Sequence, residues 1–281
     1  MNSGSSSRFF SPSQVAQALG VSESSLKRWC DQGLLEYFKT PGGHRRLTLQ
    51  AVTRYIRQSK LRLARPELLD LPAGLAMDSG LESLAVQLQA ALEEGDSRKV
   101  HDLLLGAYLQ GRGIAELADE VIAPSFRSIG RCWAESKLEV YRERRACEVT
   151  LRVLHELLAL QPDAAEDAPL AIGASPEGDV YQLPTTLVEL VLRDLGWRAQ
   201  SLGSAHPGAT LVAAARDMKP KIFWLSVSYV RDERQLGETC KALESTMKEQ
   251  NGAFVLGGNA LSETMRSSYD YTAHCDKLKH L

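Results

Sequence analysis

The chain has 281 residues, 44% of them apolar and 24% charged, with a formal net charge of −2. That length allows two or three domains, and the composition is that of an ordinary globular chain with no apolar run near the roughly 20 residues a bilayer-spanning helix needs. The five cysteines, Cys30, Cys132, Cys147, Cys240 and Cys275, stand far apart without a C-x-x-C pair, which argues against a zinc site or disulfide framework and for a reducing, cytoplasmic setting.

The charge is unevenly spread. Residues 1–65 hold 11 Lys+Arg and 3 Asp+Glu, a net of +8, and the remainder holds 22 and 32, a net of −10. A basic head on an acidic body predicts a polyanionic partner for the head alone. The start, MNSGSSSRFFSPSQ, has no signal-peptide apolar core, and residues 1–7 are expected to be a disordered lead.

In the head, 8–62, Ser11-Pro12 opens a first helix as cap and first-turn proline. Val15, Ala16 and Leu19 are spaced for one buried face, and Gly20 ends it. Ser22 caps a second helix with Leu26 and Trp29 inward. Two short helices across a glycine turn make a helix-turn-helix. The second exposes Glu23, Ser24, Ser25, Lys27 and Arg28 to a major groove. Pro41-Gly42-Gly43 then forms a hairpin tip beside cations, a wing, and Thr48 caps a third helix through Tyr55 and Ile56. Candidate DNA-contacting residues are Ser24, Ser25, Lys27, Arg28, Tyr37, Lys39, His44, Arg45 and Arg46. The stretch SPSQVAQALGVSESSLKRWCDQGLLEYFKTPGGHRRLTLQAV resembles the winged helix-turn-helix of the MerR family of bacterial regulators.

Residues 63–80 read as a linker with room for one helical turn. Across 81–160 the apolar stripes Leu81/Leu84/Leu88/Leu92, Val100/Leu103/Leu104/Tyr108, Ile114/Leu117/Val121/Ile122 and Val149/Val153/Leu157 predict a four-helix bundle, with a bend at Pro124. No Glu-x-x-His pair marks a di-iron centre. Trp133 precedes the polar stretch 135–145; taken without family context, Trp133 is core and Glu143-Arg144-Arg145 a solvated face.

After a second linker, 161–169, the tail 170–281 alternates short apolar runs with amphipathic ones. Strands are expected at 170–174, 198–202, 221–226, 253–256 and 271–275, and helices at 185–195, 208–218, 233–249 and 262–268. The predicted fold class is therefore multidomain α plus α/β: a winged helix-turn-helix, a four-helix bundle and a flavodoxin-like, doubly wound five-stranded parallel sheet. Ligands bind such sheets beyond the carboxyl ends of the strands. Those ends carry Ser175-Pro176, Gly203-Ser204, Ser226-Val227-Ser228 and Gly257-Gly258, which allow close backbone approach to a polar ligand.

A helical bundle followed by this domain is similar to the cobalamin-binding module of methionine synthase. Joined to a MerR-like head, the chain resembles the CarH and LitR group of light-responsive, adenosylcobalamin-dependent repressors. The resemblance implies a cobalt-ligating histidine in an Asp/Glu-x-His-x-x-Gly loop and an adenosyl pocket of Trp and Glu-His. Here the loop reads Asp179-Val180-Tyr181-Gln182-Leu183-Pro184, with Tyr181 for the histidine and Pro184 for the glycine. In the bundle Trp133 and Glu143 match, and Arg144 replaces the histidine. Ser226, Ser228, Gly257 and Gly258 match the nucleotide-tail groove.

Neutral tyrosine is a poor substitute for imidazole on cobalt. The expected function is thus a non-enzymatic, CarH-type regulator that binds double-stranded operator DNA as a dimer or tetramer, involves RNA polymerase only indirectly and touches no membrane. Cobalamin is expected to be absent or held atypically, with no metal site and His206 as the sole substitute candidate. Two alternatives stand beside it: a light sensor that tolerates Tyr181, and a corrinoid methyl-transfer protein, against which the head counts.

Overall fold

The computed structural model describes residues 9–71, 80–134 and 139–281, with the side chains of 132–134 outside the description. The expected lead 1–7, most of the second half of the 63–80 linker and the Trp133 side chain lie outside these residues. The chain divides into two compact units, residues 1–113, 125–149 and 155–162 in the first, and 114–124, 150–154 and 163–281 in the second.

The first unit opens with β1 (Phe9–Phe10), α1 (Pro12–Leu19), α2 (Glu23–Asp31), β2 (Phe38–Lys39), β3 (Arg45–Thr48) and α3 (Leu49–Ser59). Ser11 caps α1 in a capping box with Gln14, Ser22 caps α2, and Thr48 accepts from the Ala51 N–H at the start of α3. Each cap satisfies amides that a helix start leaves unpaired. Gly20 sits at φ 66°, the left-handed conformation that lets the chain turn sharply from α1 into α2.

The three strands pair in the order β1-β3-β2, all antiparallel. At the hairpin tip the Gly43 N–H donates to the Thr40 carbonyl at 2.8 Å, with Pro41 second in the turn and Gly43 at φ 77°.

Leu26 is fully buried, but Trp29 is only half-buried and stacks on Tyr55 at 5.0 Å between ring centroids; Cys30 takes the inward position instead. The α3 helix is held on the unit by Arg57. Its guanidinium lies 3.7 Å from the centroid of the Tyr108 ring and donates to the Arg112 carbonyl at 3.0 Å.

The first part of the expected linker is packed. Residues 66–69 form a 3₁₀ turn, Ala64 and Arg65 donate to the Ala18 carbonyl, and Leu69 and Leu71 are buried. Burying these leucines is worth about 1.5–3 kcal/mol each, enough to hold a proline-broken segment that has no periodicity of its own.

The helical segment comprises α4 (Leu81–Glu94), α5 (Ser97–Leu109), α6 (Ile114–Leu117), α7 (Ala123–Ala134) and α8 (Val140–Leu160). Between α6 and α7, residues 118–122 form a π turn. Pro124, one residue further on, brings no N–H for a carbonyl one turn back, which accommodates this wider turn.

In the second unit, β4 (Leu170–Ala174), β5 (Arg198–Ser201), β6 (Ile222–Ser226), β7 (Ala253–Gly257) and β8 (Ala273–Cys275) form one parallel sheet in the order β5-β4-β6-β7-β8. The crossovers are α9 (Leu183–Asp194), α10 (Gly208–Met218), α11 (Glu233–Glu249) and α12 (Glu263–Ser268). Both faces are covered. Phe223, Leu225, Phe254 and Leu256 join α10 and α11 residues on one side, and Ala171, Ala199 and Trp224 join Val188 and Leu192 of α9 on the other. The strand order reverses between β4 and β6, which makes their carboxyl ends the switch point of the sheet.

Candidate functional site

Two sets of candidate residues can be followed, one in each unit. In the head, α2 presents Ser24, Lys27 and Arg28 as exposed residues. Ser24 and Ser25 both hydrogen-bond the Ser22 cap hydroxyl at 2.9 Å, so they brace the helix start as well as facing outward. Lys27 pairs with Glu23 at 2.7 Å on the exposed surface, a contact worth only a few tenths of a kcal/mol and easily exchanged for a phosphate.

The wing separates its two arginines. Strand alternation places Arg45 on the face of buried Leu47 and Arg46 on the other. Arg45 donates to the Asp31 carboxylate at 2.7 Å and to the Lys27 carbonyl at 3.1 Å, and lies over the Tyr37 ring at 4.8 Å. It is a strut between wing and second helix, and Tyr37 is engaged with it. Arg46 stands opposite Phe38 on the outer face, with no hydrogen-bond or ion-pair partner among the described residues. Lys39 and His44 are exposed at the hairpin. The spacing of Leu47 was the signal that could have told the two arginines apart.

Glu143 and Arg144 lie on α8 in the first unit. Their charges stand 3.6 Å apart, and Glu143 also accepts from the Cys147 thiol at 3.6 Å. Burial pushes that thiol up to about 12, so it is an inert packing group. Trp133 belongs to the same unit with its side chain outside the described residues, and the other pocket candidates lie in the second unit.

There Asp179 is completely buried. One carboxylate oxygen accepts from the Tyr181 N–H at 3.0 Å, and the other from the Ser228 and Tyr229 N–H groups at 2.5 and 3.1 Å. Burial raises its pKa, and the three donors pull the other way. The acid therefore staples the loop after β4 to the loop after β6. Tyr181 and Ser228 are brought together through backbone amides.

Ser175 donates its hydroxyl to the Tyr181 carbonyl at 2.9 Å. His206 shares a hydrogen bond with the Leu202 carbonyl at 2.8 Å and is a loop-bracing histidine. Pro184 falls in the first turn of α9, which it opens. Ser226 is buried beside Gly257 in the sheet register. Gly258 adopts φ 130°, and a Cβ there would stand 2.0 Å from the Val227 carbonyl oxygen. Its freedom is used for contact within the fold.

Sequence reading missed Trp224. It is buried in β6, opposite Gly173 of β4, and a Cβ on that glycine would stand 2.1 Å from its ring. The indole N–H donates to the Thr185 hydroxyl at 2.9 Å. A corrinoid held through an imidazole at residue 181 does not fit this edge. That position is a tyrosine, the Asp179 carboxylate is occupied by amides, and Gly173 of β4 is covered by an indole. Among the described residues no cluster of three or more His, Cys, Asp or Glu could hold a metal ion, and no helix is long and apolar enough to cross a membrane.

Residues 9–60 match a helix-turn-helix domain family. Over 278 residues the chain is 23% identical to a protein named HTH-type transcriptional repressor CarA of Myxococcus xanthus, spanning 92% of this chain and 90% of that one. The monomethylamine corrinoid protein of Methanosarcina barkeri superposes with a TM-score of 0.61 at 15% identity, covering 72% of this chain and 96% of that one. The chain thus joins a helix-turn-helix head to a helical segment and an α/β domain that share the fold of that corrinoid protein.

Proposed function

We propose that this protein is a DNA-binding transcriptional regulator, a repressor, whose sensor part works without a cobalt-ligating histidine. The observation that carries the reading is the outward set on the head, Arg28, Lys39, His44 and Arg46, on a second helix and wing braced from within by Arg45 and Asp31. Outward basic side chains on both elements of a winged helix-turn-helix, Arg28 on the helix and Lys39 and Arg46 on the wing, support contacts to phosphates on either side of a major groove. The likeness to a repressor along most of both chains supports the regulatory role.

One short helix reads few base pairs, so binding is as a dimer or tetramer on repeated half-sites about 10 base pairs apart. RNA polymerase is affected only through occupancy of the operator. Trp133, Glu143 and Arg144 are proposed as remnants of an adenosyl pocket, and Asp179, Tyr181, Ser226, Ser228, Gly257 and Gly258 as the altered ligand edge.

The test is selection of bound duplexes from random DNA by the full chain, then titration by fluorescence anisotropy with and without hydroxocobalamin. Expected are a repeated half-site and an affinity that falls steeply with salt and is unmoved by the corrinoid. Binding that is insensitive to salt and sequence would sink the DNA-binding role. An affinity that depends on the corrinoid would sink the cofactor-independent one.

A further inference from the structure

We infer that Trp224 is the specificity-determining residue of the α/β domain. Its indole fills the space between β4, β6 and α9 just beneath the switch point, so that a flat bicyclic heteroaromatic group, such as the nucleotide base of a corrinoid tail, is excluded there. The inference deepens the cofactor-independent reading and rests on it.

Four observations place the indole there. Trp224 lies in β6 directly opposite Gly173 of β4, in the pair of strands where the sheet order reverses and one step inside their carboxyl ends, beyond which such sheets take their ligands. The ring lies over Gly173, where any Cβ would collide with it. The indole N–H reaches Thr185 in the first turn of α9, the helix that starts above the carboxyl end of β4. Thr185 is wholly buried and shares a 3.1 Å hydrogen bond with the hydroxyl of Ser201, the last residue of β5.

The network closes on itself. Ser201 Oγ also accepts from the Gly203 N–H at 3.2 Å, and the Ser201 N–H donates to Glu189 at 3.0 Å. The buried polar groups that a bound heterocycle would have satisfied are therefore paired within the chain. The flat indole fills this space and donates to Thr185. Entry of such a ligand requires removal of the ring as well as restoration of a histidine.

The experiment compares full-length Tyr181→His with the double variant Tyr181→His/Trp224→Gly for retention of hydroxocobalamin through gel filtration, read by corrin absorbance. The expected result is little retention by the single variant and at least tenfold more by the double. Equal retention by the two would overturn the role of Trp224. Retention by the unaltered chain would instead overturn the cofactor-independent reading, and the comparison of the two variants would still judge Trp224.

Circular dichroism checks folding, and Trp224→Leu replaces the glycine if the larger cavity unfolds the domain. On the unaltered chain, the Trp224 indole N–H resonance is expected to hold its position with excess hydroxocobalamin. Its displacement would overturn the proposal without any variant.

Discussion

The head and the sheet edge hold similar kinds of residue in opposite states. In the head, Arg28, Lys39, His44 and Arg46 face outward from a framework braced by Arg45 and Asp31. At the carboxyl edge of the sheet, Asp179, Ser175, Thr185, Ser201 and His206 turn to partners inside the same domain. A polar motif that looks functional in sequence has two fates, and its hydrogen-bond ledger separates them. A group whose donors and acceptors are already matched contributes stability, and a group held in place with capacity to spare is available for a partner.

The hardest test of that contrast is Asp179→Ala. If the acid is a staple, its loss leaves the Tyr181, Ser228 and Tyr229 amides without their acceptor in a buried place. Each such group costs about 1–3 kcal/mol, and partial solvation should bring the total to roughly 3 kcal/mol in chemical denaturation of the α/β domain. Asp179→Asn, which keeps an acceptor oxygen, should cost about half as much. A fully stable alanine variant would contradict the staple and return Asp179 to the list of ligand-holding groups.

Next in size is the pair of wing arginines. Arg46→Ala should weaken binding to all duplexes alike, by about 1–2 kcal/mol, and lower the salt slope by about one counterion. For Arg45→Ala the contrast predicts a different pattern. Part of its effect should appear as lost stability of the head, and a double-mutant cycle with Asp31→Ala should return a small favourable coupling, modest because the pair is exposed to solvent. Zero coupling together with a full loss of salt slope would make Arg45 a phosphate contact like its neighbour.

Much of this architecture was legible before the structure. The helix caps at Ser11, Ser22 and Thr48 and the apolar run 170–174 carried local chemistry that decides local form. The misses have two causes, one local and one tertiary. Trp29 was expected inside, but the four-residue step from Leu26 falls on Cys30, and the ring three residues on sits at the border against Tyr55. Leu69 and Leu71 stood in a proline-interrupted stretch, and their burial depends on a segment docked on α1 rather than on any periodicity of its own. The role of Trp224 depends on β4 lying next to β6. That adjacency is set by strand order, and no local pattern around Ile222–Ser226 declares it.

The smallest expected effect concerns an ionisable group whose environment matters without tying down a loop. His101 on α5 shares a 2.8 Å hydrogen bond with Glu156 on α8 and lies 3.4 Å from Asp102. The Glu156 bond raises its pKa above the ordinary histidine value, burial opposes it, and Asp102 adds to the rise. A histidine whose folded pKa is raised favours the folded state fully below its unfolded pKa, near 6.5. It loses that contribution as the pH climbs through the folded value. The first unit should therefore be slightly less stable at pH 8 than at pH 6. His101→Gln should cost about 0.5 kcal/mol at pH 6, a figure kept small because Glu156 is 44% exposed, and almost nothing at pH 8. Urea denaturation of both proteins at the two pH values measures the difference. An equal cost at both would show that His101 acts by packing alone, and the α5–α8 contact would then hold the helices without responding to protons.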